Sequence, residues 1–214
     1  MTEDLVVIGG GGLAREAAWI ALQQPEQWRL VGFLDDDPHV QGQLRLGYRI
    51  MGPVTDFPAY KDSKFIIAVG TPRTRKVIRG KLFNVPDGRF ATLIDASAKF
   101  HSSVSFAPGS LVCAGAVATV DISCGSHFIL NINATVGHDC KFDDYCTVAP
   151  LAAISGNVSC AAGVEIGTGA AIRQGIKIGR GAMVGMGSVV VSNVEPLAVV
   201  VGNPAKKLRD LGDF

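Results

Sequence analysis

The sequence predicts an α/β domain followed by a parallel β-helix, and three features carry that prediction. From Ile94 to Val190 every sixth residue is apolar, with no slip in register. Ahead of this frame, the apolar run Leu5 to Ile8 ends in four consecutive glycines, Gly9 to Gly12. Between the two, strand-like and helix-like segments follow the order of a small parallel sheet. Residues 1–90 are expected to form the α/β domain, and residues 91–214 the β-helix with a C-terminal tail.

The first domain reads in order. Leu5 to Ile8 is a strand. Leu13 to Gln24 is an amphipathic helix stopped by Pro25, with Leu13, Ala17, Ile20, Ala21 and Trp28 able to share a face. Leu30 to Leu34 is a second strand, ending in Asp35, Asp36 and Asp37. Phe65 to Val69 is a third, ending at Gly70 and leading through Pro72 into a basic helix with Arg73, Arg75, Lys76, Arg79 and Lys81. Glycines between a first strand and a first helix can bring backbone N–H groups to a phosphate. Asp35 and Asp36 follow about 23 residues after Gly12, near the spacing at which a carboxylate reads a ribose or a base. With only about 90 residues, the domain is half of a dinucleotide fold. A mononucleotide-linked ligand is therefore expected rather than NAD.

The six-residue frame fits neither a 3.6-residue helix nor a simple alternating strand. It fits a coil of three short strands and three turns, repeating about every 18 residues. Four residues beyond many frame positions stand small residues, among them Ala98, Ser110, Ala116, Ala134, Cys140, Cys146, Ala152, Ala170, Ala182 and Ser188, which would fill a narrow prism. Late in the run the frame residue is followed by glycine, as in Ile166-Gly167-Thr168-Gly169 and Val184-Gly185-Met186-Gly187. Between five and six coils at roughly 4.8 Å each make a prism about 27 Å tall.

Charged residues are 18% of the chain and the net charge is +1. That leaves no electrostatic footprint for nucleic acid or an anionic membrane. No apolar run approaches the roughly 20 residues of a membrane span, and no signal peptide is legible, so a cytoplasmic protein is expected. Of the five cysteines, Cys124 and Cys160 fall on the apolar frame and Cys140 and Cys146 on the small-residue register; all four read as core, with Cys113 outside both.

The most polar and least repetitive part of the prism runs from Asn131 to Cys140. His138 takes the third place of its repeat, away from the inward register, and a carboxylate, Asp139, follows it. A neutral imidazole can take a proton near pH 7, and a carboxylate can hold its tautomer. On its own, a histidine here would read more readily as a surface or turn residue.

Four segments in sequence carry a resemblance: the glycine-rich start with Asp35-Asp36, then Gly137-His138-Asp139-Cys140, then Ile154-Ser155-Gly156-Asn157-Val158, then Val201-Gly202-Asn203-Pro204-Ala205-Lys206. Together they resemble the bacterial nucleotide-sugar acetyltransferases with hexapeptide repeats, the sialic acid O-acetyltransferase-like group that includes N-acetyltransferases of nucleotide 4-amino-sugars. The resemblance implies a left-handed β-helix, a homotrimer, acetyl-CoA lying along the prism between subunits, and a nucleotide-sugar held by the first domain. It implies His138 as general base, supported by Asp139, in direct transfer without an acyl-enzyme and without a metal. The substrate contacts are expected at Gly10, Gly11, Gly12, Leu13, Asp35, Asp36 and Gly70. Contacts to acetyl-CoA are expected at Thr147, Gly167, Thr168, Gly185 and Met186. Two positions depart from the family: Leu13 stands where many members have a histidine in the turn, and Thr147 where some have a second histidine. A sugar O-acetyltransferase and a non-catalytic nucleotide-sugar-binding trimer are the alternatives.

Overall fold

In the computed structural model, which describes residues 2–214, the two expected architectures follow one another along the chain. The first domain contains β1 (Glu3–Ile8), α1 (Gly12–Leu22), β2 (Trp28–Leu34), β3 (Leu44–Arg45), β4 (Tyr48–Gly52), β5 (Lys64–Ile67) and α2 (Pro72–Lys81). The sheet order is β3-β4-β2-β1-β5, parallel except for the β3–β4 hairpin. β1 is central, and Leu5 to Ile8 are fully buried, as a strand covered on both faces must be. The order reverses between β1 and β5, so their C-terminal ends open a crevice where ligands of such sheets bind.

The structure departs from the sequence reading at three places in this domain. Trp28 opens β2 instead of sharing the helix face, although it packs in the same core as Ala17 and Ile20. The third strand is Lys64–Ile67 rather than Phe65–Val69. The β3–β4 hairpin has no place in the sequence reading: its two-residue turn puts both Leu46 and Gly47 at positive φ, and a leucine in that conformation gives none of the Asn-Gly signal that marks such turns.

The second domain is a three-sided parallel β-helix. A two-residue strand ends on every frame position, from Leu93–Ile94 to Val189–Val190. One face, here the docking face, stacks Leu93–Ile94, Leu111–Val112, Ile129–Leu130, Thr147–Val148, Glu165–Ile166 and Met183–Val184, closed by a hairpin of Ala198–Gly202 and Ala205–Asp210. The second stacks strands whose outward residues run Lys99, Val117, Thr135, Ala153, Ala171 and Val189, largely small or apolar. The third is polar outside, with Ser105, Ser123, Lys141, Ser159 and Lys177. Frame residues point inward and are buried from Val112 onward; Phe100, in the first coil, stays exposed.

Turns impose their own six-residue rule. From Gly109 to Gly187 every sixth residue has φ between +54° and +82°. Where the residue is not glycine it is Asp121, His127, Asn133, Asp139, Tyr145, Leu151 or Asn157, and Asp and Asn tolerate this region better than most. The corner opposite the docking face therefore carries Asp121, Asp139 and Asn157 in one column.

The α/β domain and the docking face share one core, in which Ala14, Ala17 and Ala18 meet Leu93, Leu111, Cys113 and Ile129. All five cysteines are free and buried.

Candidate active site

His138 is placed by the turn Gly137-His138-Asp139-Cys140. The Asp139 N–H bonds the Val120 carbonyl of the coil on one side (3.2 Å), and the His138 carbonyl accepts the Asn157 N–H of the coil on the other (2.8 Å). The imidazole lies flat against Gly156, where a Cβ would come within 2.5 Å of ring atoms Cε1 and Nε2. Glycine is thus required there to seat the ring. Nδ1 of His138 meets Oδ2 of Asp139 at 2.7 Å, and both side chains are about half exposed. An ionised carboxylate only accepts, so this contact puts the proton on Nδ1 and leaves Nε2 with a free lone pair.

A second site lies at the crevice between β1 and β5. Gly9, Asp35, Asp36, Val69, Thr74 and Lys81 are among the residues lining a cleft of about 280 Å³. Gly9 has φ +113°, a conformation open to glycine. Asp35 holds the turn, accepting from the Gly10 N–H (2.5 Å) and the Asp37 N–H (2.8 Å). Asp36 accepts from the Val54 N–H (3.0 Å) and from Lys81 Nζ (2.6 Å). Burial works to raise the Asp36 pKa, but Lys81 and Val54 outweigh it and hold the carboxyl below its ordinary value. Both carboxylates therefore organise the crevice as well as facing it. Gly11 and Gly12 are exposed, Gly12 opening α1.

Three of the expected contacts have roles within the chain itself. Leu13 is half-buried against the domain core and serves packing. Thr147 lies on the docking face, 5% exposed, with its hydroxyl donating to the Gly70 carbonyl (2.8 Å) and accepting from Arg75 Nη2 (2.9 Å). It is sealed under the chain's own α/β domain and offers nothing to a thioester. Gly167 is buried, and its α-carbon abuts the backbone of Gly185 and Met186 in the next coil, so close stacking explains it. Thr168, Gly185 and Met186 remain accessible, Met186 strongly so. Gly70 stays half-exposed, with its carbonyl engaged by Thr147 and Arg75.

What sequence reasoning missed is the use of the basic helix. Arg75 is fully buried at the domain junction, Arg79 stacks over Phe90 and bonds Asp87, and Lys81 pairs with Asp36. A run of cations at helical spacing carries no sign of which member turns inward.

A glycine-opened α/β crevice joined to a three-sided β-helix is the architecture this chain shares with solved acetyltransferases. The PglD N-terminal domain family matches residues 4–82. The acetyltransferase domain of PglB from Neisseria gonorrhoeae, solved with acetyl coenzyme A, is 31% identical over 97% of this chain and 100% of its own, with a TM-score of 0.88. WeeI from Acinetobacter baumannii is 31% identical over 97% and 100%, at 0.85. Perosamine N-acetyltransferase from Caulobacter crescentus, in complex with CoA and GDP-perosamine, is 29% identical over 97% of each chain, at 0.87. A search of curated protein sequences returns no match. The chain belongs to the bacterial nucleotide-amino-sugar acetyltransferase family.

Proposed function

We propose that this protein transfers the acetyl group of acetyl-CoA to the amino group of a nucleotide-linked 4-amino-sugar, of the 4-amino-4,6-dideoxy type, in surface-glycan synthesis, with His138 as general base. The observation that carries the base assignment is the 2.7 Å contact from His138 Nδ1 to Asp139, which leaves Nε2 of a half-exposed ring with a free lone pair. Similarity along nearly the whole chain to enzymes solved with CoA and an amino-sugar nucleotide supports the substrate class.

The chemistry is a direct displacement. The neutral amine attacks the thioester carbonyl while Nε2 of His138 accepts its proton. The tetrahedral oxyanion then collapses, the C–S bond breaks, and the leaving thiolate takes up the proton held by the His138 imidazolium, which restores the base. The Thr147 hydroxyl is held by Gly70, so the oxyanion donor we assign is a backbone N–H. The N–H of Gly156, the residue against which the imidazole packs, bonds no acceptor among the described residues and is our candidate for this role.

The protein acts as a homotrimer. His138 stands on the corner opposite the docking face, so the prism separates it from the chain's own nucleotide crevice. The small, apolar outward residues beside that corner, Val117, Ala153, Ala171 and Val189, suit a neighbouring prism. In this arrangement a second copy supplies the nucleotide-bearing wall. No described helix is long and apolar enough to cross a membrane, and five unpaired thiols suit a reducing compartment; we place the reaction in the cytoplasm.

Thiol release from acetyl-CoA, measured against UDP-, dTDP- and GDP-linked 4-amino-sugars and CMP-sialic acid, tests the reading. Turnover on one amino-sugar that collapses in His138→Ala is the expected result. Turnover on the sialic acid hydroxyl alone would establish O-transfer instead, and nucleotide-sugar binding without any turnover would establish a sensor.

A further inference from the structure

We propose that Arg75 and Thr147 form a latch that positions the nucleotide crevice on the β-helix, making Thr147 a positioning residue for nucleotide binding although it touches no ligand. Arg75 is 0% exposed. Its Nη1 donates to the carbonyls of Val69 (2.8 Å) and Gly70 (2.6 Å), at the end of β5. Its Nε donates to the His127 carbonyl (3.1 Å), and Nη2 to the Tyr145 carbonyl (2.6 Å) and the Thr147 hydroxyl (2.9 Å). One guanidinium therefore ties the loop after β5 to two successive coils of the β-helix.

The partners are telling. Among the described residues Arg75 forms no salt bridge, so its N–H groups are met by carbonyls and one hydroxyl, with the Glu165 carboxylate acting on the cation from beyond contact distance. Burial lowers its pKa to about 10, which still leaves it charged at neutral pH. A junction built only for stability would be served as well by an apolar side chain of similar volume, since a buried charge is a poor source of stability. What the fork adds is direction: five donors in a rigid plane fix where Val69 and Gly70 lie. Val69 lines the crevice, and α2, which begins two residues beyond Gly70, supplies Thr74 and Lys81 to its other wall. The latch thus sets both walls from outside the crevice.

This inference rests on the nucleotide-sugar reading, and equilibrium binding separates the two. Calorimetric titration of the full chain with UDP, GDP, dTDP and acetyl-CoA is compared for wild type, Thr147→Val, Thr147→Ser and Arg75→Lys. The valine keeps the shape and removes both hydrogen bonds. It is expected to weaken whichever nucleoside diphosphate the wild type binds by about tenfold, with acetyl-CoA affinity changed by less than about twofold. Serine is expected to restore nucleotide affinity, and Arg75→Lys, which keeps the charge but loses the fork, to weaken it at least as much as valine. Unchanged nucleotide affinity in Thr147→Val, parallel loss of both ligands, or equal loss in the serine variant would overturn the latch. Failure of the wild type to bind any of the three nucleotides would instead overturn the nucleotide reading itself, and the latch with it.

Discussion

Asp36 and Asp139 are both carboxylates at a candidate site, and they are held in opposite ways. Asp36 is gripped by a backbone N–H and a lysine within its own chain, on the wall of a formed crevice. Asp139 has one partner, the His138 ring, and the pair stands half exposed on a bare corner. A binding site gains from preorganisation in the free protein. A general base needs a dry, closed environment only when the reactants are present. The crevice is formed within one chain, whereas the dyad stands open, and this difference supports the proposed division of binding to the first and chemistry, completed by a second copy, to the second.

Breaking the dyad should have the largest effect. His138→Ala is expected to lower turnover by about 10² to 10⁴-fold with both ligands still bound, checked by steady-state kinetics alongside calorimetry. Gly156→Ala keeps the dyad and moves it: the new methyl would sit 2.5 Å from the imidazole, and a displaced ring should lose about 10²-fold in turnover at unchanged nucleotide affinity. On the binding side, Lys81→Met frees Asp36 from its ion pair, and nucleotide affinity should weaken by about fivefold, as for one partly exposed charged hydrogen bond. Turnover at saturating substrate should hardly move; a loss confined to turnover would erase the division between the two sites.

A histidine remote from the chemistry sharpens the contrast with His138. His127 is 2% exposed, stacked on Tyr145 at 5.3 Å and packed on Phe90. Burial, aided by Arg79 and Arg75, lowers its pKa from 6.5 to about 4. As pH falls below 6.5 the unfolded chain protonates first, so stability is full above pH 6.5 and declines down to about pH 4. The loss is on the order of 3 kcal/mol at most. His127→Phe should flatten the melting temperature against pH over that window, with little change at pH 7. A slope identical to wild type would assign the acid sensitivity elsewhere.

The β-helix was legible because its period states the coil directly: each frame residue from Ile94 to Val190 closes a strand. The crevice was legible as a pattern, since strand, glycines, helix and Asp35-Asp36 appear in order. Hydrogen-bond direction was not. Nothing in the letters says that Arg75 turns inward while Arg73 and Lys76 do not, or that Thr147 lies beneath the chain's own first domain. Those facts belong to the junction, where two segments about 70 residues apart meet, and no local spacing encodes it. His138 could be singled out for its chemistry, but its seat on Gly156 emerges only when coils 18 residues apart are stacked.

The most direct test of this division mixes two defective proteins. His138→Ala has an intact crevice, and Thr74→Trp, at an exposed crevice position, fills the crevice and leaves the dyad intact. Co-expressed in equal amounts, they should recover roughly a quarter of wild-type thiol release, the share of sites in a symmetric trimer that pair a sound crevice with a neighbour's sound histidine. No recovery from mixed trimers of verified composition would mean that crevice and base act within one chain, and would contradict the account.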